Sequence, residues 1–152
     1  MIGDGPGRED LERLAATLGV EAEFTGAVPP DAVSGLLDRA DAAAAPYPAG
    51  VVGQDDYFSP LKVYEYMAAA LPIIASAVGQ IPSILEPGRT GILVPPGEPA
   101  AVAEALTRLA ADPALRERLG SSARADAAQR FSWDGVLARI TRSLPPVRRV
   151  VA

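Results

Sequence analysis

This sequence has no cysteine and no histidine in 152 residues. The first absence rules out disulfides, a thiolate nucleophile and thiolate metal sites. The second rules out a Ser-His-Asp triad, an imidazole base and a histidine-ligated metal within the chain. Aromatic residues make up only 5%, and lysine occurs once, as Lys62, among 14 Lys+Arg residues. No apolar run approaches the ~20 residues that cross a bilayer. The opening Met1-Ile2-Gly3-Asp4-Gly5-Pro6 has neither the basic nor the apolar region of a signal peptide. A net charge of −5 argues against the broad basic surface that nucleic acid requires. A basic pocket for one phosphate ligand needs only a few residues and fits that balance. The chemistry left to the chain lies in carboxylates, backbone N–H groups, hydroxyls, arginine and Lys62, or in groups from another domain.

Hydrophobic residues make up 49%, much of it alanine, which suits close-packed helices on a sheet. The length suits one domain with its own core. Leu11, Leu14, Ala15 and Leu18 have helical spacing, so a helix is expected over 8–18, stopped by Gly19. A short strand is expected over 21–25, ending at Gly26, and a helix over about 31–39 opened by Pro29-Pro30. Further apolar strands are expected over 41–45, 72–76 and 90–94, with helices over about 60–70 and 80–85. Three helices, over 98–110, 113–129 and 132–144, close the chain, and 145–152 reads as a flexible tail. Phe131 and Trp133, beside a Ser132 cap, are expected to staple the last helix to the body. Short, uniformly apolar strands alternating with helices indicate an α/β fold, a parallel sheet covered on both faces. Ligands in such sheets bind at the C-terminal strand ends. The loops there are 4–7, 26–30, 46–59 and 76–81.

The segment Ser59-Pro60-Leu61-Lys62-Val63-Tyr64-Glu65 carries the most chemistry. Ser59 suits an N-cap and Pro60 a first helical position. The N–H groups of Leu61, Lys62 and Val63 then lack intrahelical partners and, with the helix dipole, suit a diphosphate. Lys62 adds a point charge. Glu65 lies roughly 9 Å along the axis from Ser59 at ~1.5 Å per residue, about the reach from a diphosphate to its ribose. A carboxylate can accept from both hydroxyls of that sugar. An ordinary capped helix is the competing reading. In it Leu61, Tyr64, Ala68 and Leu71 form a core stripe, and Lys62 and Glu65 are surface charges. Gly3-Asp4-Gly5-Pro6 reads as a structural turn more readily than as a phosphate loop. Asp55-Asp56 reads as two solvated acids more readily than as a metal pair.

Several blocks, in order, resemble one family. They are Asp4-Gly5-Pro6, Phe24-Thr25-Gly26-Ala27-Val28, Ala40-Asp41, the helix block Ser59 to Ala69, Pro72-Ile73-Ile74-Ala75-Ser76, Val78-Gly79-Gln80-Ile81-Pro82, and Gly88 to Gly97. Together they resemble the C-terminal, donor-binding domain of retaining glycosyltransferases of family 4 (group 1), over roughly residues 2–143. The resemblance implies a Rossmann-like three-layer domain, one half of a GT-B fold, over 1–144. It implies a nucleotide-diphosphate sugar as donor and no protein-bound metal. Glu65 matches the second of two family glutamates eight positions apart, which implies contact with the donor ribose. The first falls on Tyr57, a departure, since a Tyr cannot act as a carboxylate near the donor sugar. Leu61 and Lys62 match positions whose backbone holds the diphosphate, with Ser59 and Val63 beside them. Gly26 and Val28 sit at the C-terminal end of an expected strand, where backbone could contact the base. Pro60 and Ala70 stand where the family often has glycine, and Ser83 replaces a common acid.

The family's domain begins one strand–helix unit earlier, in the unit that carries the Arg and Lys neutralising the diphosphate. The resemblance therefore implies a fragment that lacks this unit and the N-terminal acceptor domain. Such a chain supplies most of the donor-binding half and is inactive alone. The expected compartment is the cytoplasm, with peripheral membrane association open to the full-length parent. The alternative is a non-catalytic nucleotide- or partner-binding module that completes its sheet against another chain.

Overall fold

The computed structural model of this protein describes residues 1–50 and 59–143. The chain divides into two compact units, Met1–Arg39 and Ala40–Ala152. The expected loop over 47–58 is described only to Gly50, and Tyr57, Asp55-Asp56 and the tail 145–152 lie outside the described residues.

The first unit holds α1 (Arg8–Leu18) and α2 (Pro30–Leu37). Gly19 ends α1 at φ 64, and Val20 N–H reaches the Ala15 carbonyl at 2.9 Å. That pairing satisfies carbonyls the last turn would otherwise leave open. The expected strand over 21–25 does not form. Thr25 N–H bonds the Met1 carbonyl at 3.0 Å and Gly3 N–H bonds that of Gly26 at 3.0 Å. The two segments meet in one isolated antiparallel bridge, Gly3 to Gly26, which is too little pairing for a strand.

The second unit holds β1 (Ala43–Ala45), α3 (Leu61–Ala68), β2 (Ile73–Ser76), α4 (Ile81–Ile84), β3 (Ile92–Val94), α5 (Pro99–Ala111), α6 (Pro113–Asp126), a π-helical segment (Ala127–Phe131) and α7 (Trp133–Ser143). The strands form a parallel sheet in the order β1-β2-β3, with Ala44 opposite Ile74 and Ile74 opposite Ile92. Alternate side chains of β2 serve opposite faces. Ile73 and Ala75 pack with Val63 and Met67 of α3, Ile81 and Ile84 of α4, and Ala123 of α6. Ile74 packs with Leu109 of α5 and with Leu115 and Leu119 of α6. Helices therefore cover both faces of a Rossmann-like layer.

The buried stripe of α3 differs from the expected one. Val63 and Met67 are fully buried, Leu61 is 68% exposed, Tyr64 is half-buried and Ala68 is exposed, while Leu71 beyond the helix is buried. Apolar residues occupy more than one side of this helix, and contact with the sheet selects among them.

Helix α3 ends through Ala70 at φ 56, the only non-glycine residue with positive φ among those described. Leu71 N–H bonds the Tyr66 carbonyl at 3.1 Å and Ala70 N–H that of Met67 at 3.1 Å, which closes the turn. A Cβ in the left-handed region is strained, so Ala70→Gly is expected to raise stability by about 1 kcal/mol, measured as a higher urea midpoint. An unchanged or lower midpoint would show that the strain is relieved elsewhere.

At the other end of the unit, Ser132 Oγ accepts from Gly135 N–H at 3.1 Å and caps α7 as expected. Phe131 packs edge-on against Tyr64, with ring centroids 5.0 Å apart. Trp133 is 87% exposed, so it does not staple the helix to the described body. It projects from the first turn of α7, and Phe131 alone of the expected pair holds the body.

Candidate functional site

Three strand ends converge on Tyr47, two residues past β1. Its N–H donates to Ser76 Oγ at 2.9 Å, at the end of β2. Its carbonyl accepts from Gly97 N–H at 3.0 Å, just past β3, and from the Ser76 hydroxyl at 3.3 Å. Ser76 is buried, and these bonds satisfy its hydroxyl. Gly97 has φ 75, and a Cβ there would sit 3.1 Å from Ala49 N, so both conformation and space call for glycine. A cavity of about 550 Å³ opens at these strand ends, lined by Pro46, Tyr47, Pro48, Glu98, Pro99 and Val102.

Helix α3 stands beside this junction. Its N-cap is Pro60, one residue later than expected, and no side chain caps it, so Ser59 does not serve as the N-cap. Pro60 cannot donate, and its ring is buried. Leu61 N–H bonds the Ser59 carbonyl and Val63 N–H the Pro60 carbonyl, each at 2.9 Å. Two of the three amides expected to face a ligand therefore have local partners. The cause is the tight turn that Pro60 imposes at the helix mouth, which folds those carbonyls back over the first turn. Val63 contributes its side chain to the core and not to the surface.

Lys62 and Glu65 are both exposed on α3. The Lys62 ammonium lies over the Tyr47 ring, 5.2 Å from its centroid, within cation–π range. Glu65 lines a second concavity of about 490 Å³, together with Tyr64, Arg124, Phe131 and Ser132. Burial raises the Tyr66 phenol above its ordinary value, and Glu65 and Tyr47 add to that shift. Tyr66 thus stays protonated and neutral beside Glu65.

Ser59, Leu61, Lys62, Val63 and Glu65 are thus brought together at one helix start in the second unit. Gly26 and Val28 belong to the first unit, where Gly26 is buried at φ 71 and its carbonyl is taken by Gly3. The part played by Tyr47 and Ser76 is not visible in the sequence. The one local sign is the frame Pro46-Tyr47-Pro48, in which each proline restricts the chain around the ring.

Comparison with known proteins places the chain in a family. The family described as Glycosyl transferases group 1 matches residues 1–112. This chain belongs to it. A D-inositol 3-phosphate glycosyltransferase of Streptomyces bingchenggensis is 40% identical over 126 residues, covering 83% of this chain and 26% of that protein. Sulfoquinovosyl transferase SQD2 of Arabidopsis thaliana is 33% identical over 143 residues, covering 92% of this chain and 26% of that protein. Among solved structures, sucrose-phosphate synthase from Thermosynechococcus elongatus matches with a TM-score of 0.77 at 27% identity, covering 93% of this chain and 36% of that one. Anabaena HepE in complex with UDP matches with a TM-score of 0.75 at 26% identity, covering 93% of this chain and 39% of that one. The chain thus spans roughly a quarter to two fifths of these relatives. No helix among the described residues is long and apolar enough to cross a membrane.

Proposed function

We propose that this chain supplies donor-binding residues of a glycosyltransferase that moves a sugar from a nucleotide-diphosphate donor to an acceptor. The observation that carries this reading is Lys62 and Glu65 both exposed near the start of one helix, Lys62 against the strand-end residue Tyr47 and Glu65 on a separate concavity, in a chain of this family. The UDP held by HepE supports a nucleoside diphosphate as the ligand class.

In this reading Lys62 meets the diphosphate and Glu65 accepts from the ribose hydroxyls. The Leu61 and Val63 amides take part only by sharing donors that now serve Ser59 and Pro60. A phosphate oxygen can compete for them, because charge-assisted hydrogen bonds are stronger than neutral ones. The side chains therefore carry more of the binding than the backbone does. Stabilising the leaving diphosphate in a transfer needs preorganised positive charge, and one lysine neutralises only part of it. The 152 residues alone are expected to bind a nucleotide and not to turn over a nucleotide sugar. Further cationic groups and the acceptor site come from elsewhere in the working enzyme. Tyr57, at the family's first glutamate position, belongs to the same proposed site but not to the described residues.

The test is titration of UDP, GDP and ADP against ¹⁵N-labelled protein. One of them is expected to shift the amides around Lys62 and Glu65. Glu65→Ala should weaken that nucleotide by about 1.5–3 kcal/mol, the loss of a charged hydrogen bond. No shift with any of the three, or equal affinity for the variant, would remove the reading. Turnover of a nucleotide sugar by the isolated chain would overturn the expected dependence on other parts.

A further inference from the structure

We infer that Tyr47 is a positioning residue for the donor diphosphate, acting through Lys62. This rests on the donor-site reading above and assigns a role to a residue outside the motif that suggests that reading.

A lysine side chain in water is a flexible stem that loses much freedom when its ammonium is fixed on a ligand. Here the ammonium already lies 5.2 Å from the Tyr47 ring centroid. The ring is a firm support, because the Tyr47 backbone is held on both sides. Its N–H donates to Ser76 at 2.9 Å, and its carbonyl accepts from Gly97 at 3.0 Å. Those bonds are made by the backbone, so replacing the side chain leaves them in place. A cation resting on a ring face keeps its outward N–H directions open to an anion. The ring thus fixes the ammonium before ligand arrives, and preorganisation of this kind improves affinity by removing an ordering cost. Lys62 is the only lysine in the sequence, so no other side-chain ammonium can replace it there.

The same fact gives a clean probe. Protein grown with ¹³C-lysine shows one side-chain ε-CH₂ resonance, and the Tyr47 ring current should displace it upfield. Tyr47→Leu should return it to the free-lysine position, and Tyr47→Phe should leave it displaced. UDP is then titrated by NMR, with GDP and ADP if UDP does not bind. Tyr47→Leu is expected to weaken the nucleotide about two- to fivefold, the range of an exposed cation–π contact. Tyr47→Phe should bind like the parent, and the Tyr47→Leu effect should vanish in a Lys62→Met background. If the parent binds nucleotide and Tyr47→Leu binds equally well or more tightly, the positioning role is wrong while the donor site stands. An ε-CH₂ signal that ignores Tyr47→Leu overturns it as well. If the parent binds none of the three nucleotides, the donor-site reading falls and takes this role with it.

Discussion

Gly120→Val is expected to cost the second unit roughly 3 kcal/mol of stability, the upper part of the range for forced overpacking. Gly120 lies inside α6, where a glycine normally weakens a helix. A Cβ built on it would stand 2.0 Å from the Ala70 carbonyl oxygen and 2.9 Å from its carbon. Both atoms are backbone, at the turn that ends α3, so no rotamer change relieves the clash. The helix-propensity gain from removing a glycine, ~1 kcal/mol, is too small to offset it. Gly120→Ala should therefore also destabilise, by less than valine. Urea unfolding followed by circular dichroism reads both. Because the obstacle is a carbonyl, adding Ala70→Gly should not rescue Gly120→Val. A valine variant with the parent's midpoint would show that α6 can move away from this turn freely.

Asp126→Ala is expected to cost about 2 kcal/mol, the loss of charged hydrogen bonds to a buried acceptor. The Asp126 carboxylate is almost fully buried at the end of α6 and accepts from Arg89 at 2.8 and 3.1 Å and from Arg130 at 2.9 Å. Arg89 also bonds Glu86, and Arg130 bonds the Ser83 carbonyl at 3.1 Å. The network ties α4 and the turn after it to the start of the π-helical segment. Breaking a fully buried ion pair can cost more, about 3–5 kcal/mol. Here the two arginine side chains are 43% and 44% exposed and can return to water, which limits the loss.

This carboxylate also sets a pH dependence. The Arg89 hydrogen bonds hold its pKa below the ordinary aspartate value, against the opposing effect of burial, and Arg130 adds to the lowering. A lowered native pKa means the unfolded chain binds the proton more readily. The stabilisation is thus complete above the unfolded value of about 3.9 and is lost as pH falls through the lower native value. The gap in urea midpoint between the parent and Asp126→Asn should be widest near neutral pH and shrink in acid below about pH 4. A gap that stays constant across that range would mean the carboxylate is not the group responsible.

Local pattern was enough for most elements, since spacing along the chain dictates it. The apolar runs at 41–45, 72–76 and 90–94 contain β1, β2 and β3, and the helices between and after them lie close to their expected spans. Residues 21–25, Glu-Ala-Glu-Phe-Thr, are less apolar than those runs, and only an isolated bridge forms beside them, at Gly26. Ala70 stands where the family often has glycine, and the structure gives that position a left-handed φ of 56.

By itself, the sequence determined the family, the alternation of strand and helix, and the presence of one acid and one lysine at the start of a helix. These follow from residue order and period, which need no long-range contact. Only the tertiary structure decided that Val63 and Met67 face the core instead of Leu61 and Ala68, because the sheet chooses among several apolar sides of α3. It alone pressed Gly120 against Ala70 and set the Tyr47 ring under Lys62. Each of these joins residues distant in the chain, and such pairings are fixed by packing and backbone hydrogen bonds that no local pattern encodes.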